Sequence, residues 1–254
     1  VPKHLVPKDF KALGQISMGA GRRSNARANN TLMTAAGARP TLVPIGVLLD
    51  TGAWYYEVEV VQSSNGGLVS IGWVNSRWQS VHQARPPTAN VPHVGSDDSS
   101  WGVSVSFSKR HNGESTPFAK RLIEAGDIIG CVADTEARTL SFSLNGSFKV
   151  PLGVAFREVD IALGLVPAIT LEFGFVCRVN FGREPLRFAP PPGVQPVEAF
   201  IRKRLSELVR ASAGEHAGRW WAASGVRTID TNQLIQEKRL TPKPNKIWRA
   251  SASV

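Results

Sequence analysis

The chain has 254 residues, 42% of them hydrophobic and 20% charged. These are ordinary values for a soluble globular protein, and a chain of this length can bury roughly 70% of its unfolded surface with no disulfide or metal staple. Disorder throughout is excluded. So is a membrane-spanning helix, because the longest apolar runs, Val43–Leu49 and Ala162–Ile169, are under half of a span and proline interrupts both. The net charge of +10 is unevenly placed: residues 1–40 carry +6, residues 41–192 carry −2 and residues 193–254 carry +6. Basic flanks around a near-neutral body suggest extensions that lie on RNA, an acidic protein face or an anionic membrane, or that simply keep the chain in solution.

In chain order, the first forty residues are rich in Gly, Ala, Asn and Arg, show little apolar periodicity and are expected to be irregular. Gly19-Ala20-Gly21 supplies two glycines of a dinucleotide fingerprint, but Ser24 holds the third place and no strand leads into it. From Thr41 the texture changes to short runs rich in Val, Ile, Phe, Tyr and Trp, separated by Gly, Asn, Asp and Pro. They are Val43–Leu49, Trp54–Val61, Leu68–Val74, Trp101–Ser108, Asp127–Asp134, Thr139–Leu144, Leu163–Thr170 and Phe175–Phe181. Tyr56-Glu57-Val58-Glu59-Val60 sends its acids to one side, and serines mark the outer face of Val103–Ser108 and Leu140–Leu144. Period-two alternation with one polar face is the pattern of an antiparallel sheet that is wet on one side. Asn145-Gly146 predicts a tight hairpin. Eight such strands with no helical stretch among them predict an all-β protein, an antiparallel β-sandwich.

Ala189-Pro190-Pro191-Pro192-Gly193 cannot continue a ladder and marks a domain boundary. Val197–Ala211 then switches period. Val197, Phe200, Ile201, Leu205, Leu208 and Val209 predict an amphipathic helix, docked on the sandwich or offered to a partner. The remainder ends in a basic arm of Lys238, Arg239, Lys243, Lys246, Trp248 and Arg249, which Pro242 and Pro244 keep from being helical.

No GxSxG elbow, HExxH, GxxxxGK or metal-spaced Cys/His cluster occurs, so neither catalysis nor a cofactor or metal is expected. His82 and His93 share one predicted loop with no third ligand suggested. Asp97-Asp98 is expected to cap backbone amides ahead of the next strand. Cys131 and Cys177 are expected to be buried thiols in a reducing intracellular compartment, the cytoplasm or else the mitochondrion. Sequons at Asn29 and Asn145 are taken as chance, and the valine start is taken as the mark of a processed or excised chain.

Six blocks in order resemble a SPRY domain. The first three are Trp54-Tyr55-Tyr56-Glu57-Val58-Glu59-Val60, Ser70-Ile71-Gly72-Trp73 and Val94-Gly95-Ser96-Asp97-Asp98-Ser99-Ser100-Trp101-Gly102. The others are Gly126–Asp134, Leu140–Gly146 and Val179-Asn180-Phe181-Gly182. The resemblance spans 41–193 and leaves a basic N-terminal extension at 1–40, with a helix and basic arm at 194–254. Phe188–Gly193 followed by Glu198-Ala199 looks most like the SPRY repeats of ryanodine-receptor-type channels, and SPRY domains of large ubiquitin ligases are similar. Three departures fall at loops: Ser96 inside the glycine–aspartate block, Phe107-Ser108-Lys109-Arg110 where an aromatic with glycine is usual, and a long proline-bearing Asn75–His93 segment.

The resemblance implies a bent two-sheet sandwich that binds proteins and does not catalyse, a scaffold or assembly subunit of a larger complex. Alternatives are a structural part of a ribonucleoprotein whose basic flanks contact RNA, and the substrate-recruiting domain of a ubiquitin ligase. Trp54, Tyr56, Trp73, Phe142 and Phe181 are expected in the core. Recognition is expected on Asn75–Asp98 and Lys109–Phe118, through Arg77, Trp78, His82, Arg85, His93, Arg110, His111 and Asn112, since Arg and Trp dominate interface energetics. Either Trp78 joins that surface, in which case alanine at Trp78 and Arg77 weakens a pull-down without lowering the melting temperature, or it folds back on the sandwich.

Overall fold

A computed structural model describes residues 10–13, 31–33, 41–44, 46–63, 69–78, 92–119, 121–172 and 174–212. The chain divides between Ile201 and Arg202 into two units. The first holds two sheets. One is built, in spatial order, from β1 (Phe10–Leu13), β3 (Thr41–Pro44), β12 (Leu165–Thr170), β5 (Ser70–Asn75), β6 (Ser100–Ser104), β7 (Ser108–His111) and β8 (Glu114–Pro117). The other runs β11 (Gly153–Phe156), β10 (Thr139–Leu144), β9 (Ile128–Asp134), β4 (Ala53–Gln62), β13 (Val176–Asn180) and β2 (Thr31–Met33). Every pairing is antiparallel except that of the two-residue β14 (Gln195–Pro196), which runs parallel to β4. The helix α1 (Val197–Ser212) follows. The all-β sandwich expected from alternation is therefore present.

Alternation drives the packing. On β4 the inward set Trp54, Tyr56, Val58 and Val60 meets Ile71 and Trp73 of β5 and Leu165 and Ile169 of β12 in one core. Tyr56 pins the two sheets together: its hydroxyl donates to the Gly72 carbonyl at 2.6 Å, and its ring stands edge-on to Trp73 at 5.1 Å. Phe142 and Phe181 complete the expected aromatic set. The Asn145-Gly146 hairpin forms with positive φ at both residues. Asn145 is committed within the fold: its amide donates to Asp127 at 2.9 Å and its Oδ1 accepts from the Ile128 amide at 2.9 Å.

Three sequence expectations change on folding. The run Trp101–Ser108 is two strands and not one, because Phe107 turns back with φ 50° and buries its ring fully, accepting amide hydrogen bonds from Phe118 and Ala119 at 3.0 Å. Ser104, Ser106 and Ser108 bond one another around that turn at 2.8 and 3.2 Å. Second, the outer face of β4 and β10 is not all wet. Ser143 is fully buried and Glu57 is 2% exposed, Glu57 because the segment carrying Arg187 and Phe188 crosses above it. Glu57 accepts from the Arg187 and Phe188 amides at 2.9 and 2.8 Å and from the Tyr55 hydroxyl at 3.1 Å. Third, the stretch expected to be irregular contributes the edge strands β1 and β2. Each is at most four residues long, too short for periodicity to register.

The strap formed by 183–196 leads into the first turn of α1, where Val197 is fully buried and Phe200 meets Trp54 edge-on at 5.7 Å. The expected docking of the helix therefore holds for its first turn. Of Leu205, Leu208 and Val209, the side chains lie outside the described residues.

Candidate functional site

The expected recognition segments meet at one rim of the first sheet. The Asn112-Gly113 turn joins β7 to β8 with φ 52° and 77°, the left-handed pair that a two-residue hairpin requires. This hairpin is bonded to the loop ahead of β6. Asn112 donates its amide to the Asp97 carbonyl at 2.9 Å, and Gly113 to the Gly95 carbonyl at 3.0 Å. The loop itself is held on all sides. The Val94 amide donates to Thr170 Oγ1 at 2.9 Å, the Gly95 amide to Ser100 Oγ at 2.9 Å, and the His93 amide to Ser96 Oγ at 3.2 Å. Asp97 Oδ1 accepts from the Ser99 amide and the Ser100 hydroxyl at 3.0 and 2.8 Å, the capping role expected of it. Gly95 has φ +90°, and a side chain there would meet Arg110 backbone atoms at 2.8–2.9 Å. Loop and hairpin thus form one rigid body.

Side chains on this rim carry mixed charge. Arg77 is exposed and faces Asp98 at 3.4 Å, a solvated pair that contributes little to stability. The Arg110 guanidinium donates to His93 Nε2 at 3.2 Å; since guanidinium can only donate, that nitrogen is unprotonated. His111 stacks on Trp101 with ring centres 4.9 Å apart and donates from Nδ1 to the Ser100 carbonyl at 2.9 Å. Asn112 is exposed at the tip. Lys109, which the residue-type argument passed over, reaches across to the second sheet: its Nζ donates to the Ala155 carbonyl at 3.2 Å and lies 6.0 Å from the Phe156 ring centre.

The structure thus brings together Arg77, His93, Arg110 and Asn112, whereas His111 lies on the opposite face of β7, stacked on the core residue Trp101 and 6.3 Å from Phe156 of the second sheet. Trp78 is different. It is 1% exposed and packs with Val43, Val74, Val94, Val166 and Ala168 on the outer face of the first sheet. It folds back on the sandwich, so the expectation that its loss spares the melting temperature is corrected. His82 and Arg85, and the arm residues Lys238, Arg239, Lys243, Lys246, Trp248 and Arg249, lie outside the described residues. The signal that could have located the hairpin was the Asn112-Gly113 dipeptide itself.

Among the described residues no three His, Cys, Asp or Glu side chains gather as metal ligands would, and no helix is long and apolar enough to cross a membrane. The two thiols are free and fully buried. Desolvation pushes Cys177 up to about 12 and raises Cys131 as well, so neither is the depressed, accessible thiolate that nucleophilic chemistry needs. Desolvation likewise raises Tyr55, with the adjacent Glu57 charge adding to the shift, and Tyr56.

Residues 53–184, just over half of the chain, match the SPRY domain family. The chain belongs to that family. SPRY domains are protein-interaction modules, and the rim described above has the fixed loop bases that such a role needs. The chain is similar to the E3 ubiquitin-protein ligase RKP of Arabidopsis thaliana, with 32% identity over 150 residues, which is 58% of this chain. It is also similar to Ran-binding protein 10 of Danio rerio, with 25% identity over 228 residues, 87% of this chain. It spans 10% and 34% of those two proteins' own lengths.

Proposed function

We propose that this SPRY protein is a non-catalytic scaffold or assembly subunit of a larger complex, gripping a protein partner by the rim of His93–Asp98 and the β7–β8 hairpin. The observation that carries the reading is the bonding of Asn112 to Asp97 and Gly113 to Gly95. It fixes two chain-distant segments as a single surface before any partner arrives, so little conformational entropy is lost on binding. Arg77, Arg110, His93 and Asn112 supply polar contacts there, and the basic flanks add charge attraction. A substrate-recruiting role in a ubiquitin ligase is the second reading, favoured by the similarity to a protein of that name.

The test is cross-linking of the full chain in its native assembly, followed by capture with Arg77→Glu and Asn112→Gly. Both positions are exposed, and glycine keeps the left-handed turn. The reading expects partner loss with an unchanged melting temperature. An unchanged partner list in the double variant would refute it. If the captured partner is RNA, log affinity falls with log salt at about −0.9 per phosphate contacted on a duplex, and the ribonucleoprotein reading replaces this one.

A further inference from the structure

Ser206 lies in α1, in the second of the two units. Arg202, Lys203 and Arg204 precede it, and all three are exposed, as is Ser206 itself. Its hydroxyl donates to the Arg202 carbonyl at 2.9 Å, a back-bond of the kind that competes with the helix ladder and loosens it. Arg204 pairs with Glu207 at 3.3 Å, so Arg202–Glu207 sets three cations against one carboxylate. These cations stand two, three and four residues ahead of the exposed hydroxyl.

We propose that Ser206 is a phosphorylation site for a basophilic serine/threonine kinase. Kinases choose substrates largely by charge pattern. An acidic kinase cleft would take cations two, three and four residues ahead of the hydroxyl, with arginine able to pair bidentately. Ser206 Oγ attacks the γ-phosphorus of ATP. The new bond joins Oγ to phosphorus, the bond from phosphorus to the β–γ bridging oxygen breaks, and ADP departs. The hydroxyl proton passes to the kinase's catalytic aspartate. A kinase binds its substrate extended, so the helix must open locally. Ser206 is in the second half of the 16-residue helix, so opening from the C-terminal end exposes it while the buried contacts of Val197 and Phe200 stay in place. The added charge of about −1.5 to −2 cancels the excess of the Arg202–Glu207 run.

The same approach, Lys-Arg-Leu before a hydroxyl, recurs at Lys238-Arg239-Leu240-Thr241, so the modified residue must be mapped and not only counted. The folded full chain is incubated with the catalytic subunit of cAMP-dependent protein kinase and magnesium ATP, and the products are sequenced by tandem mass spectrometry. One phosphoryl group is expected on Ser206. Replacing the two adjacent cations, Lys203→Ala with Arg204→Ala, should slow modification of Ser206 by about tenfold or more without moving the melting temperature, since both are exposed. Lys203→Arg should leave the rate intact. The proposal is overturned if Ser206 stays unmodified in the folded chain, if it is modified only after denaturation, or if the double variant reacts at the parental rate.

Discussion

Glu57 illustrates how a single residue can be misjudged from its neighbours and still be essential to the fold. In the alternation of β4 it has the same parity as Glu59, which is half-exposed and paired with Arg178 at 2.7 Å. Sequence period therefore assigns both to water. What covers Glu57 arrives 130 residues later, when the Arg187 amide reaches its carboxylate, and no local pattern can announce that. Its oxygens satisfy two backbone amides and the Tyr55 hydroxyl at once. Glu57→Ala should cost about 3 kcal/mol, because it strands two part-buried donors. Glu57→Gln, which keeps one acceptor, should cost about half as much. Urea midpoints of the two variants check this, and equal losses would mean that the strap is held by other contacts. Trp78 is the converse case. Its type suggested an interface anchor, but it fills the small cluster above β5 and β12, so Trp78→Ala should cost about 3 kcal/mol and lower the melting temperature. Phe142 was legible because β10 alternates apolar with serine, and Trp54, Tyr56 and Trp73 because they stand in apolar runs, although β5 is buried at every position and period does not decide its face.

Among the elements, the central strands were legible and the short ones were not. β4, β9, β10 and β12 were visible as apolar runs, whereas β7, β8 and β11 have four residues each, below what alternation can resolve. These short strands do the work at the sheet margins. β8 ends in Pro117, which offers no amide, and Lys109 occupies the Ala155 carbonyl of β11. Brevity, proline and an inward lysine are devices that keep edges from pairing with other chains. The rim follows from the same logic. Half of the candidate site was legible as loops bearing Arg and His. That the loops form one surface depended on Gly95, whose conformation and lack of a side chain let Arg110 pack against it. Gly95→Ala should therefore cost about 2 kcal/mol or more and displace the hairpin. Its amide spectra should shift at Asn112 and Gly113, 17 or more residues away in sequence, while those of β4 and β9 stay put. A shift confined to the neighbours of Gly95 would show that loop and hairpin are not coupled.

At the scale of the whole molecule, the buried ionisable groups set how stability responds to alkali. Cys177 has an ordinary value of 9.0 and is pushed up to about 12 by desolvation; Cys131 moves in the same direction for the same leading reason. A raised value means that the folded state keeps its proton when the unfolded chain has already released it. The stabilising contribution is thus complete below pH 9.0 and is lost progressively as pH rises through the window from 9.0 to about 12. Within that window the unfolded chain binds fewer protons than the native one, so unfolding free energy falls with pH, by up to about 1.4 kcal/mol per pH unit for each such group. In the unfolded chain the tyrosines, with an ordinary value of 10.0, also release protons there, and the comparison that isolates one group is with Cys177→Ala, which removes the titration and little volume. Urea midpoints taken from about pH 8 to about pH 10.5 should fall for both chains, and more shallowly for the variant. Parallel curves would show that the thiol at 177 reaches water in the native state. The core between β4 and β13 would then be looser than its full burial of Cys177 and Val60 requires.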